Sequence, residues 1–305
     1  MSEILTYTEG LEFSLIEDDT GSYYSVTKYT GDSAEVIIPE TYNGLPVRII
    51  GYGTFFNCPG LTRVTIGGRV TSIERAAFSY CRSLTNITIP DSVVSIDVQA
   101  FEGCDSLTNV IIGNGVTSIG MFAFNGCSSL ANVTIGSSVV SIGQGAFTEC
   151  ASLTSIVIPD SVTSIGEGAF SDCSSLSSVV IGDSVTSIGS WAFHGCNNLI
   201  LYCEAESQPS GWDPAWNFSN CEVIWGYAVK EDDKNNEIQD SIDLRQAFIN
   251  NANAQKKYFA AKAELAKAAF SGQFEDIIIG SDIVFILDAG GADTQLATLD
   301  KTILL

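Results

Sequence analysis

The sequence predicts an α/β repeat solenoid that runs into a long helix and a β-hairpin. Three observations predict it. Cys58, Cys81, Cys104, Cys127, Cys150, Cys173 and Cys196 each stand 23 residues from the next. Phenylalanine keeps the same interval from Phe55 to Phe193, leucine from Leu61 to Leu199, and isoleucine from Ile50 to Ile188. After Ser241 the period vanishes, and sequence rich in alanine and lysine takes its place. A fixed period of roughly 20 to 50 residues marks a chain whose units stack on one another.

Residues 1–48 read as an amino-terminal cap, because "LEFSLI" and "YYSVTKY" flank the turn "EDDTGS" in a hairpin pattern. "VIIP" then imitates a repeat strand, but the longer loop "ETYNGLP" stretches the interval from Ile38 to Ile66 to 28 residues. Residues 49–199 are seven repeats. In the unit "VVSIGQGAFTECASLTSIVIPDS", 139–161, "VVSIG" is an extended piece closed by glycine. "GAFTEC" is one helical or 3₁₀ turn that brings Ala146, Phe147 and Cys150 to one side. "SLTSIVIP" alternates at Ile156 and Ile158 before meeting proline, as a short strand does. Val139, Ile142, Ala146, Phe147, Cys150, Leu153, Ile156 and Ile158 point inward on this reading. One unit cannot cover its own open faces, so stability is shared along the array. The cysteine is a small apolar filler in a buried column. Parallel Cβ vectors on adjacent rungs do not converge as a disulfide needs, and the short paired intervals of a zinc site are missing.

Residues 200–229 read as the opposite cap, with Trp212, Trp216 and Trp225 as a lid on the last coil. Cys203 and Cys221 fall off the register and could pair if oxidised, but a cytoplasm keeps them reduced. Residues 230–240, "KEDDKNNEIQD", are a polar linker whose spacing fails a calcium loop. Residues 241–305 form a helix-plus-hairpin module. "SIDLRQAFINNANAQKKYFAAKAELAKAAF" predicts one long basic helix with a broken heptad. The runs Ile277–Ile279 and Ile283–Leu287 flank Gly280-Ser281 as a hairpin apolar on both faces. Such a module wants cover, which points to homo-oligomerisation or to docking on a larger assembly.

The repeat words carry a family resemblance. "SLTSIVIPDSVTSIGEGAFSDC" resembles the leucine-rich repeats of the BspA-like, or Treponema pallidum, type, and the likeness spans roughly residues 11–227. The resemblance implies a right-handed solenoid with a parallel sheet on one side. It also implies binding of proteins or surface ligands, as in the surface adhesion proteins of that family.

Composition excludes several functions. Net charge is −22, and no Lys or Arg lies between Arg82 and Lys230, a stretch with thirteen Asp and Glu. Nucleic acids and anionic membranes are bound through cations, so neither is an expected partner. The start "MSEILTYTEG" shows no secretion signal, which predicts a cytoplasmic site at synthesis and a virion or surface location only after assembly. HExxH, GxSxG and Walker patterns are missing, and the single histidine, His194, reads as surface filler. No cofactor, no metal and no enzymatic activity are expected.

Two readings of function follow. The first is a recognition protein for a protein or glycan ligand, bound on a neutral strip of outward strand positions. One column of that strip runs Arg63, Asn86, Asn109, Asn132, Ser155, Ser178, and its neighbour Thr65, Thr88, Ile111, Thr134, Val157, Val180. Phe122 and Trp191 add aromatic anchors in a corner column otherwise made mostly of Gly, Ala or Gln. The second reading is a bacteriophage virion component, a head fibre or decoration protein, which would leave the cell by lysis without an export signal.

Overall fold

The computed structural model describes residues 7–227, 284–285 and 297–298. Residues 7–227 belong to one compact unit and the two short carboxy-terminal pieces to another, the division falling between Arg245 and Gln246. The larger unit is a parallel β-solenoid. It opens with the antiparallel hairpin Leu11–Asp18 and Gly21–Tyr29. The second of these strands also pairs in parallel with Leu45–Ile50, which converts the hairpin into the first rung of a ladder. Rungs then follow at Ser72–Ile73, Ser95–Ile96, Ser118–Ile119, Ser141–Ile142, Ser164–Ile165 and Ser187–Ile188.

A second ladder stands on another side of every coil. It runs Glu35–Ile37, Arg63–Thr65, Asn86–Ile89, Asn109–Ile112 and Asn132–Thr134. After a break in pairing it resumes at Ser155–Ile158, Ser178–Ile181, Ile200–Cys203 and Glu222–Trp225. The expected parallel sheet on one side is therefore corrected to ladders on two sides. The cause is the short word "SIG": each copy offers extended main chain that pairs with the copies above and below, Ser141 with Ser164 and Ile142 with Ile165.

The expected helical turn is also corrected, since no helix occurs among the described residues. Gly145 and Glu149 take φ of 58° and 60°, outside the right-handed helical region. Within one coil, alternate N–H groups close tight turns: Ala146 donates to the Gly143 carbonyl, Thr148 to Gly145, and Cys150 to Phe147. The intervening ones reach the next coil: Gly145 donates to Glu167 at 2.8 Å, Phe147 to Ala169 at 2.8 Å, and Glu149 to Ser171 at 2.9 Å. An α-helix directs its N–H groups along its own axis. Here half of them stitch neighbouring coils together.

Inside the coil the eight expected positions of the 139–161 unit are all buried, none more than 3 % exposed. The phenylalanines stack in one column with centroid spacings rising from 4.8 Å at Phe55–Phe78 to 5.6 Å at Phe170–Phe193. Tyr29 packs tilted against Phe55 at one end, and Trp216 meets Phe193 edge-on at the other. Trp212 is buried beside Trp216 and donates its indole N–H to the Val185 carbonyl at 2.9 Å. These contacts make the tryptophans a lid.

The cysteines are more than fillers. Each thiol from Cys81 to Cys196 donates to a phenylalanine carbonyl of the preceding coil, as Cys127 does to Phe101 at 3.2 Å. Cys58, in the first repeat, is only half-buried. All nine cysteines are free. Cys203 aligns with Trp225 across the last rung, four residues beyond Cys221. At about 3.3 Å per residue, that offset puts the two thiols out of disulfide reach.

In the second unit, Val284–Phe285 pairs antiparallel with Ala297–Thr298. The partner of this strand is thus a segment to which the sequence pattern assigns no element. The Ile277–Ile279 run, the Gly280-Ser281 turn, the long helix from Ser241 and the linker 230–240 lie outside the described residues.

Two predictions follow from this core. Phe124→Ala removes a ring stacked on both sides and should cost about 3–5 kcal/mol in denaturant titration. Burial raises the thiols of Cys81 and Cys203 from 9.0 to about 12. Well below pH 9 these thiols stay protonated in both folded and unfolded chains, and native labelling should be slow. Between pH 9 and 12 only the unfolded chain releases the protons. Stability should therefore fall with rising pH, by about 1.4 kcal/mol per pH unit per buried thiol. A denaturation midpoint unchanged between pH 8 and about pH 10.5 would contradict the buried-thiol account.

Candidate functional site

The outward strip and the corner column meet different fates. Along the strip, Asn109 donates its side-chain amide to the Asn86 oxygen at 2.7 Å, and Asn132 to the Asn109 oxygen at 2.8 Å. This amide ladder ends where serine replaces asparagine at Ser155, which is also where the sheet pairing breaks. Arg63 sits 3.8 Å from the Glu35 carboxylate. Thr65, Thr88 and Thr134 are half-buried, and Ile111 in the same column is buried. The strip is thus not continuous water-facing surface. Much of its hydrogen-bonding capacity is turned on itself.

The corner column behaves otherwise. Ala76, Gln99, Phe122, Gly145, Gly168 and Trp191 occupy equivalent positions, all with φ between 54° and 59°. Glycine adopts that geometry freely, whereas a bulky side chain is strained there by about 1–3 kcal/mol. Phe122 and Trp191 carry this strain and stand three coils apart, with the two glycines between them. The Phe122 ring lies over Gly145, so that a Cβ there would collide with the ring. Gly168 is open: the nearest heavy atom to a Cβ at that position is the Ser171 Cβ, 3.8 Å away.

The result is a surface groove of about 410 Å³ whose gap lies between the Phe122 ring and Trp191. Two coil steps at about 4.8 Å set its width near 10 Å. Gln144, Thr148, Glu167, Ser171, His194 and Phe218 complete the lining. Trp191 is 49 % and Phe218 59 % exposed, unusual for large apolar side chains in a well-packed array. Thr148 donates its hydroxyl to the Gly168 carbonyl at 2.8 Å and so fixes the groove floor. His194 stacks tilted on Phe218 at 5.8 Å, and its Nδ1 lies 4.0 Å from the Asp172 carboxylate. Glu167 is exposed at the rim.

The structure thus brings Phe122 and Trp191 into one site and leaves Arg63, Asn86, Asn109, Asn132, Thr65, Thr88 and Thr134 outside its lining. His194, read from sequence as surface filler, belongs to the groove. Gln144, Thr148, Glu167, Ser171 and Phe218 carry no motif that singles them out in the sequence. The available signal was the pair Gly145 and Gly168, the only successive glycines in the corner column after Phe122 and before Trp191.

Comparison with known proteins gives concordant results. The BspA type Leucine rich repeat region matches in six copies over residues 29–151 and 71–200. A leucine-rich repeat protein from T. pallidum is 28 % identical, with a TM-score of 0.59 over 73 % of this chain and 98 % of its own. One from Bacteroides ovatus is 25 % identical, with a TM-score of 0.40 over 72 % of this chain and 70 % of its own. A leucine-rich cell surface protein from Faecalibacterium prausnitzii is 25 % identical, with a TM-score of 0.38 over 76 % of this chain and 97 % of its own. No curated protein matches the sequence.

Proposed function

Because the chain belongs to the BspA-type leucine-rich repeat family, we propose that it is a non-enzymatic recognition protein that holds its ligand in the groove between Phe122 and Trp191. One observation carries this reading: two large aromatic residues are kept at left-handed backbone positions on either side of two coils that use glycine there. Strain that stability alone would remove is retained when a side chain serves something else. The groove offers exposed aromatic surface with polar groups at its rim, the composition of a binding pocket rather than of a solubilising face. The asparagine strip contributes sheet cross-links on this view, and ligand contact is assigned to the corner column. Residues 241–305 serve to anchor or oligomerise the protein, supported by the broken heptad and the two-faced apolar hairpin in their sequence.

Trp191→Gly separates function from fold. It removes the anchor and relieves the backbone, so the unfolding midpoint should hold or rise. Any ligand that the parent binds on an array of peptides and glycans should be weakened by about 2 kcal/mol, roughly thirtyfold. Binding that survives Trp191→Gly but vanishes in Asn109→Ala would move the site to the strip. For the tail, light scattering should find an oligomer for the full chain and a monomer for the chain ending at Tyr227. A monomeric full chain would remove the assembly role.

A further inference from the structure

We infer that the groove selects a cation, the side chain of a lysine or arginine presented by a protein partner. The inference rests on the groove being the binding site, and it adds the chemistry of what enters.

Aromatic faces attract cations through their ring quadrupoles, tryptophan most strongly. Trp191, Phe122 and Phe218 supply such rings on the groove walls, with Trp191 and Phe218 about half exposed. The charged groups at hand are acidic: Glu167 lines the rim, and Asp172 lies beside His194. Among the described residues lining the groove there is no Lys or Arg. None occurs anywhere in the sequence between Arg82 and Lys230, against thirteen carboxylates. A cation entering the groove meets no lysine or arginine along that whole stretch, an anion finds none to pair with, and His194 already faces the Asp172 carboxylate at 4.0 Å. The acidic excess also raises the local concentration of basic segments around the array. Neutral hydroxylated ligands gain nothing from this charge pattern. A centre-to-centre span of about 10 Å, less the thickness of the two rings, leaves room for one extended side chain between them, and the single rim carboxylate is placed to neutralise one charge.

The test uses the full chain and reads the fluorescence anisotropy of a dye placed at the far end of each probe, a signal that survives substitution of Trp191. The probes are a short peptide with one free lysine, the same peptide with that lysine acetylated, and oligomers of N-acetylglucosamine. The lysine peptide should bind, and acetylation should weaken it by roughly tenfold or more. Raising salt from about 0.05 M to 0.5 M should weaken it severalfold, because the Debye length then shrinks to a few ångströms. Glu167→Gln should weaken it about fivefold, and Trp191→Phe, which keeps a smaller ring, should weaken it less than Trp191→Gly. Equal binding of the acetylated peptide, abolished in Trp191→Gly, would overturn the cation and keep the groove. Binding of the sugar oligomers in place of the lysine peptide would do the same. Probe binding indifferent to Trp191→Gly would overturn both the cation and the groove.

Discussion

Half of the main-chain N–H groups in each turn segment have no acceptor in their own coil. They find one only in the next coil, as Phe124 does at Ala146 and Phe147 at Ala169. Buried amides must be satisfied, so each coil has to copy the backbone of its neighbour. The exact 23-residue interval follows from this constraint. So do the two left-handed positions per coil, since the odd and even N–H groups point in different directions only if the chain reverses its twist between them. Prolines comply as well: Pro90 and Pro159 sit after the strand, away from the stitched segment.

Once the backbone repeats, side chains fall into columns, and the columns form the core. The phenylalanines lie nearly parallel, within 4° of one another, because identical rotamers on identical backbones leave no other choice. The thiols are small enough to sit in the remaining space and close enough to bond a carbonyl of the preceding coil. Serine could donate in the same place, but a hydroxyl among phenylalanines has a larger cost of burial than a thiol. A ladder of this kind has open ends. Tyr29 covers the first ring and Trp216 the last, and neither is a phenylalanine, because a lid must stop the pattern rather than continue it.

The repeat and its inward positions were legible because periodicity reports directly on stacking. Val139, Ile142 and Phe147 are buried as their spacing requires. Two features were not legible. The turn "GAFTEC" has the spacing of a helix, and only the hydrogen bonds between coils turn it into left-handed corners; that information lies in the neighbouring coil and not in the segment. The groove was half visible. Phe122 and Trp191 stood out against small residues in their column, but Phe218 joins them through a cap that breaks the register. Outward placement, read from strand alternation alone, failed at Ile111, which is buried.

The groove owes its width to the number of glycine corners between its two aromatic walls. Because each coil contacts only its neighbours, a whole unit can be added or removed without disturbing the stacking. Removal of the unit holding Gly168 would bring Trp191 to within about 5 Å of the Phe122 ring's rung and close the slot, while one more unit would open it by the same step. A lineage of such proteins can therefore retune the width of this slot by copy number alone, with no new side chain invented and the core columns intact.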